Sequence, residues 1–380
     1  MTRFQVLVVG AGPAGLAAAI EAATAGATVL VIDENSAPGG QLFKQIHKFF
    51  GSSAHYAGIR GLDIGRKMLD EAQARGVEIW LDSTVWGLFA DNHVAVIRDE
   101  RSMLIEAEKV ILATGAYENA LSFPGWTLPG VITAGSLQTM MNVQRVLPAD
   151  RMLMVGAGNI GLIVSYQAMQ AGMDVVAVIE ARDRIGGYAV HAAKIRRYGV
   201  PILTSHTISE AHGAGQVESA TLVQLDERFL AIEGTERQID VDMICLAVGL
   251  TPMAELAWMA GCQFVYVPEA GGHVPIHDEN METTVPGLYV AGDITGIEEA
   301  NTAIDEGRLA GIAAAQALGY CSAAEASGRK ALVCERLDEL RLGEINRTRR
   351  TVQEILQAQS SGVRQELSDV SPQCGRSEIR

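Results

Sequence analysis

Val8-Val9-Gly10-Ala11-Gly12-Pro13-Ala14-Gly15 opens the chain, and Met154-Val155-Gly156-Ala157-Gly158-Asn159-Ile160-Gly161 repeats its pattern in mid-sequence. Each copy stands between an apolar, strand-like run and a helix-like run rich in small residues. One G-x-G-x-x-G is a weak signal; two in this setting imply two dinucleotide-binding domains in one chain. The first glycine allows the tight turn, the second lets backbone approach a pyrophosphate, and the third lets helix and strand pack closely. The helix N-terminus then presents free N–H groups and a partial positive charge to the phosphates.

Working outward, residues 4–9 read as a buried parallel strand, 15–25 as a helix and 28–32 as a second strand ending at Asp33-Glu34. Asp33 lies 18 positions beyond Gly15, where a strand-end carboxylate accepts hydrogen bonds from a ribose and disfavours a 2′-phosphate. In the second copy Glu180 lies 19 positions beyond Gly161, so that by count Ile179 stands where Asp33 does. The second site therefore reads as the weaker one. Pro38-Gly39-Gly40-Gln41 makes a turn that lets backbone approach a cofactor, and Lys44 and His47 follow it as candidate catalytic groups. An ordinary loop with a charged face is the competing reading of that stretch.

An amphipathic helix is expected over 64–74, with Ile64, Met68 and Ala72 on one face, then a strand over 77–81 and a small meander. The meander closes in Ala113-Thr114-Gly115, residues without bulk that either sit against a cofactor or simply end a strand. Pro124-Gly125-Trp126-Thr127-Leu128-Pro129-Gly130 reads as a linker leading into a helix over 134–147. From Thr283 the chain returns through Val290-Ala291-Gly292-Asp293, a strand end whose carboxylate either stands beside a sugar chain or simply caps the next helix, expected over 298–318. Past Gly319, Val333, Leu337 and Leu340 fall at helical spacing, as do Val352, Ile355 and Leu356. Residues 360–380 are polar and read as disordered. The expected organisation is a discontinuous first domain (1–122 and 278–325), a second domain (123–277) and a helical C-terminal extension (326–380).

Composition narrows the class. With 380 residues, 48% of them hydrophobic, and 40 glycines, the chain reads as an α/β protein rich in tight turns. A formal charge of −15 argues against nucleic acid or an anionic lipid surface as the main partner. No apolar run approaches the roughly 18–20 residues of a membrane span, and strand one begins at Phe4 without a leader, so a soluble, cytoplasmic protein is expected. The cysteines (Cys245, Cys262, Cys321, Cys334 and Cys374) form no C-x-x-C, which argues against a redox dithiol, a zinc site or a bound iron–sulfur cluster.

Taken in order, the first fingerprint, Gly39-Gly40-Gln41, Ala113-Thr114-Gly115, the second fingerprint and Ala291-Gly292-Asp293 resemble the two-dinucleotide-binding fold of glutathione reductase. Gly115-Ala116-Tyr117-Glu118, Phe123 to Gly130 and Asp305-Glu306-Gly307-Arg308-Leu309-Ala310-Gly311 are more specific. They resemble the FAD/NAD-binding α subunits of heteromeric amino-acid and amine dehydrogenases of the opine oxidase, hydrogen cyanide synthase and dye-linked proline or hydroxyproline dehydrogenase type. The similarity extends over about residues 4–320.

The resemblance implies an α/β protein with two Rossmann-like domains that binds FAD. It assigns Gly10, Gly12, Pro13, Ala14 and Gly15 to the pyrophosphate and Asp33 or Glu34 to the ribose. Gly40 and Gln41 fall beside the flavin, Ala113, Thr114 and Gly115 beside the adenine half, and Gly292 and Asp293 beside the ribityl-phosphate segment. Gly156, Gly158, Asn159, Ile160, Gly161 and Glu180 line a second site for NAD(H) or another adenine nucleotide. Larger relatives carry a C-terminal cysteine-rich domain for a [2Fe–2S] cluster that this chain lacks. The implied assembly is thus a hetero-oligomer with a small iron–sulfur protein and a second flavoprotein subunit. The expected function is a flavin-dependent oxidoreductase subunit carrying electrons from an amino acid or secondary amine. The alternatives are a stand-alone NAD(P)H-dependent flavin reductase of ferredoxin or a dye, and a non-catalytic FAD-binding scaffold.

Overall fold

The computed structural model describes residues 3–342, 352–356 and 359. The chain divides into two compact units, Met1–Tyr117 with Thr251–Arg380, and Glu118–Leu250. The first unit begins with β1 (Arg3–Val9), α1 (Pro13–Ala25), β2 (Val29–Ile32), α2 (Gly61–Ala74), β3 (Glu78–Trp80), β4 (Ser83–Phe89), β5 (His93–Arg98) and β6 (Arg101–Leu112). Strands β1 and β2 are apolar along nearly their whole length because both faces are covered: Val6, Val8, Val29 and Val31 pack among helix residues such as Leu16 and Met68, and Leu7, Val9, Leu30 and Ile32 pack on Leu88, Val94 and Val96 of the meander and on Ala254 and Ala257.

The chain leaves this unit through β7 (Ala116–Glu118). The second unit holds β8 (Val131–Thr133), α3 (Ala134–Gln138), β9 (Arg151–Val155), α4 (Asn159–Ala171), β10 (Asp174–Glu180), α5 (Ala189–Arg197), β11 (Ile202–Thr204), β12 (His206–His212), β13 (Ser219–Gln224), β14 (Arg237–Asp240) and β15 (Met243–Leu246). The chain returns through β16 (Leu250–Pro252) to α6 (Glu255–Met259), β17 (Phe264–Val267), β18 (Gly272–Pro275), β19 (Leu288–Val290), α7 (Ala300–Ala317) and α8 (Ala323–Leu340).

Among the described residues, the sheet of the first unit has the order β3-β2-β1-β6-β5-β4, with β19 also paired to β6. Its β3, β2, β1, β6 and β19 run parallel, whereas β4 and β5 form an antiparallel meander on β6. The second unit carries a parallel sheet ordered β11-β10-β9-β15-β8 and a separate three-stranded antiparallel sheet, β12-β13-β14. This is an α/β, glutathione-reductase-like architecture with two Rossmann-like sheets and C-terminal helices.

Three sequence expectations change. The return to the first unit comes at Thr251 and not at residue 278, because Ala254, Ala257 and Cys262 are buried in the same cluster as Leu7, Val9 and Leu112. The helix after the linker is α-helical only over Ala134–Gln138, continues as a π turn over Thr139–Gln144 and stops at Arg145 in the left-handed region (φ 62°). The C-terminal helix starts at Ala323, where Ser322 and Glu325 form a reciprocal capping box, instead of in an extension that begins at residue 326.

That helix is no detachable extension. Val333 and Leu337 are buried in the core cluster built on α1 and α7, and Arg329 pairs with Glu21 of α1. Leu340 is only partly covered. Val352 and Leu356 pack on Val267, Ala270 and Val274. Residues 360–380, with Cys374, lie outside the described residues.

Candidate functional site: two nucleotide cradles

Both fingerprints sit at the carboxyl ends of parallel strands, where open α/β sheets bind ligands. In the first unit, Gly10 adopts φ 105° and its N–H donates to the Ile32 carbonyl at 2.8 Å, locking the turn to the end of β2. A Cβ on Gly15 would lie 1.8 Å from the Gly10 carbonyl oxygen, so only glycine admits this close helix–strand contact. Gly12 differs: its φ is −74°, and a Cβ there would meet nothing nearer than Gly40 Cα at 3.9 Å. The fold does not demand glycine at 12. A ligand does.

The N-terminus of α1 fits an anion. Gly12 offers no side-chain cap, Pro13 occupies the first turn, and no acidic residue stands there. Asp33 is buried at the end of β2; its Oδ2 accepts the Ala11 N–H at 2.6 Å and its Oδ1 accepts the Asn35 N–H at 2.8 Å. Glu34 is exposed. Asp33, then, is the acid built into the cradle. Gly39 donates to the Ala11 carbonyl at 2.7 Å, which brings the Gly39-Gly40 turn over the fingerprint, and Gln41 stands exposed beside it.

The Gly292-Asp293 turn reaches the same place. Gly292 (φ 80°, ψ −154°) abuts Ala14, where an added Cβ would fall 2.9 Å from the alanine's own. Behind it, a Cβ on Gly307 would lie 2.1 Å from the Ala14 carbonyl oxygen and one on Gly311 2.3 Å from that of Ala18. These two glycines of α7, part of the 305–311 motif, let α7 pack directly on α1. Burial pushes the Asp293 carboxyl up to about 7 against a backbone hydrogen bond from Glu298, with Glu306, Glu298 and Glu299 adding repulsion.

Other assigned residues are tied into the surrounding fold. The Thr114 hydroxyl donates to the Met253 carbonyl at 2.5 Å, and the Gly115 carbonyl accepts the Met253 N–H at 3.0 Å, so this pair anchors the returning chain. Ala113 contributes backbone: its carbonyl oxygen lies 2.3 Å from where a Gly10 Cβ would be. Lys44 closes a 3-10 turn over Gly40–Lys44. His47 stacks on Phe49 with centroids 5.2 Å apart, a loop-packing role. One histidine in a buried polar network carries no motif in the sequence. His55 Nε2 lies 2.7 Å from Asp305 Oδ2 and Nδ1 lies 3.0 Å from Ser52 Oγ, while Arg308 and Arg336 also donate to Asp305.

The second unit repeats the cradle more completely than counting suggests. The Gly156 N–H donates to Ile179 at 2.8 Å, as Gly10 does to Ile32, and the Ala157 N–H donates to Glu180 Oε2 at 2.9 Å, as Ala11 does to Asp33. The Arg182 N–H donates to Glu180 Oε1 at 3.1 Å, matching Asn35 on Asp33. Glu180, not Ile179, is therefore the counterpart of Asp33. The extra residue is absorbed by an irregularity between Val175 and Ala177, where β10 slips one position against β9. Ile179 is fully buried in the core.

Gly186 and Gly187, absent from the sequence-based expectations, correspond to Gly39 and Gly40. Both donate to the Ala157 carbonyl, and a Cβ on Gly187 would fall 2.8 Å from the Gly158 carbonyl carbon. Asn159 Oδ1 accepts the Tyr188 N–H at 2.8 Å, Ile160 is 40% exposed, and Gly158 has open space around it. The N-terminus of α4 again has no side-chain cap and no acid in its first turn. The signal was present as a second Gly-Gly placed after the strand-end acid.

Among the described residues the cysteines are unpaired: Cys245 and Cys262 are buried, Cys321 partly covered and Cys334 exposed. Burial raises the Cys245 and Cys262 thiols, so neither is poised as a thiolate. No described group of three or more His, Cys, Asp or Glu side chains is arranged to hold a metal ion. No described helix is long and apolar enough to cross a membrane.

This geometry has known relatives. An opine oxidase subunit from Agrobacterium tumefaciens (strain Ach5) is 32% identical over 332 residues, 82% of this chain and 65% of that protein. Hydrogen cyanide synthase subunit HcnB from Pseudomonas aeruginosa is 27% identical over 361 residues, covering 89% and 76%. The chain thus spans less than two thirds of the length of the opine oxidase subunit. The crystal structure of L-proline dehydrogenase from P. horikoshii superposes with a TM-score of 0.67 at 22% identity, covering 89% of this chain and 59% of that one, which shows a shared fold. Residues 4–307 match the family model for pyridine nucleotide-disulphide oxidoreductases, and the chain belongs to that family.

Proposed function

We propose that the chain is the nucleotide-binding subunit of an FAD-dependent oxidoreductase that takes electrons from an amino acid or secondary amine, working with a partner flavoprotein subunit. The observation that carries the FAD assignment is the first cradle: an uncapped helix N-terminus, a buried strand-end acid and a Gly-Asp turn converge on one strand end. The likeness to the opine oxidase subunit supports the substrate class and the heteromeric assembly.

When bound, FAD supplies the two-electron acceptor. The protein's work is positional. The first-turn N–H groups of α1 hold the pyrophosphate, Asp33 receives ribose hydroxyls and Gly40 leaves room for the ring system. Gly292 and Asp293 approach the ribityl-phosphate segment. With no cysteine pair bonded among the described residues and no C-x-x-C in the sequence, electrons would leave through a partner; a small iron–sulfur protein fits that role.

The second cradle takes NAD(H) or another adenine nucleotide with a free 2′-hydroxyl, since Glu180 would repel a 2′-phosphate. Its completeness favours a second reading, a stand-alone NADH-dependent flavin reductase. Two measurements decide. The purified chain is expected to be yellow and to release one FAD on denaturation; a colourless protein that takes up no FAD ends the flavin reading. Anaerobic stopped-flow with NADH, and with amines in the presence of the co-expressed partner, separates the two activities. Fast, saturating flavin reduction by NADH in the isolated chain, without amine-dependent reduction in the complex, favours the reductase.

A further inference from the structure

We infer that Arg341, at the C-terminal end of α8, is a positioning residue of the first cradle: it clamps Glu306, and Glu306 in turn clamps the Gly292-Asp293 turn. The inference rests on the reading that this turn faces the flavin cofactor.

Glu306 lies in α7 and is buried. Its Oε2 accepts the Gly292 N–H at 2.9 Å and is 2.9 Å from Thr295 Oγ1, so one carboxylate oxygen holds both ends of the turn that carries Asp293. Its Oε1 accepts from Arg341 Nη2 at 2.6 Å. Arg341 Nε donates to both oxygens of Glu298, at 3.1 and 3.2 Å. Side-chain exposure is 11% for Arg341, 5% for Glu306 and 9% for Glu298. One planar guanidinium thus satisfies two buried carboxylates through its fork, a geometry an ammonium cannot reproduce.

Arg341 is in reach only because α8 runs its full 18 residues from the capping box at Ser322. Its own N–H donates back to the Leu337 and Asp338 carbonyls. A cation there also faces the negative end of the helix dipole. The C-terminal helix is therefore part of the nucleotide site.

Without Arg341, Glu306 and Glu298 would stand as neighbouring carboxylates beside Asp293 with little exposure to solvent, and like charges so placed take up protons. A protonated Glu306 keeps its shape but loses the ionised acceptor that fixes Gly292. The titratable groups around it are Arg341 from α8, Glu298, Glu299 and Asp293 from the turn before α7, and His277, which lies close enough to Arg341 to feel its charge. Burial raises the Glu306 carboxyl, and Arg341 is the principal opposing influence.

The test uses the full chain, with apoprotein titrated with FAD from pH 6 to 9 and melting followed in parallel. Arg341→Met is expected to weaken FAD binding about tenfold at neutral pH, the scale of one charge-assisted hydrogen bond, and to shift the pH at which affinity is half-maximal upward. Arg341→Lys should restore part of both. Glu306→Gln keeps a carbonyl acceptor for Gly292 and should flatten the pH profile, alone and in combination with Arg341→Met. Wild-type affinity and an unchanged pH profile in Arg341→Met overturn the inference. Should that variant not fold, an unchanged profile in Glu306→Gln does the same. A wild-type chain that binds no FAD instead defeats the flavin reading on which the inference stands.

Discussion

Replacing Gly12 by alanine separates what the fold needs from what the ligand needs. Gly12 has an ordinary φ of −74°, and the new Cβ would have its nearest neighbour, Gly40 Cα, at 3.9 Å, which is normal contact. As an N-cap, alanine is worse than glycine by about 0.5–1 kcal/mol, while the stiffer unfolded chain offsets about 0.4–1 kcal/mol. The net lies within about 1 kcal/mol of zero, a change in Tm of no more than about 2–4 °C. On the proposed FAD assignment, however, the methyl stands where backbone would meet a phosphate. Losing one or two charge-assisted hydrogen bonds at about 1.5–3 kcal/mol each weakens binding roughly tenfold to ten-thousandfold. Gly15→Ala is the counterpart, because its Cβ would fall 1.8 Å from the Gly10 carbonyl oxygen; it should cost the fold about 1–3 kcal/mol or more. The assay is flavin content by absorbance after denaturation, alongside a melting curve for each variant. Gly12→Ala retaining a full complement of FAD, or melting far below wild type while Gly15→Ala does not, would refute the reasoning.

The second cradle offers a parallel test: Gly158 has no neighbour within 4 Å of a new Cβ, so Gly158→Ala should keep FAD and stability while NADH binding, followed by calorimetry, falls at least about tenfold. Glu180→Ala should weaken NADH binding, whereas Ile179→Val should change only stability, by about 0.5–1.5 kcal/mol. Truncation after Gly319 is expected to abolish both folding and flavin retention, since it uncovers the cluster shared by α1, α7, Val333 and Leu337; Leu337→Ala alone should cost about 2–5 kcal/mol in a denaturant melt. Burial would raise the Asp305 carboxyl, but hydrogen bonds from His55, Arg336 and Arg308 outweigh it and hold the group at about 2, below its unfolded 3.8. Its stabilisation, on the order of 2 kcal/mol, is therefore present above about pH 4 and lost as pH falls through about 2. Acid titration of wild type against Asp305→Asn should show that difference disappear below about pH 2.

The sequence by itself determined what depends on short-range geometry. Gly10, Gly15 and Gly156 mark turns and close contacts only glycine can make, and Asp33 follows at the distance one helix and one strand impose. From these the two Rossmann-like sheets and the place of the two glycine turns at their strand ends could be read. Tertiary structure alone decided the rest, because those features depend on pairings between distant segments. The slip at Val175 to Ala177 moves the acid register from Ile179 to Glu180, and no count along the chain reveals which residue a strand leaves unpaired. Gly186 and Gly187 gain meaning only from the Ala157 carbonyl they share. The apolar stripe of α8 fits a docking face as well as the commoner core face until Val333 and Leu337 are seen against α1 and α7. Arg341 carries no local signal at all: its partners, Glu298 and Glu306, lie 43 and 35 residues away and are joined to it by packing, not by periodicity.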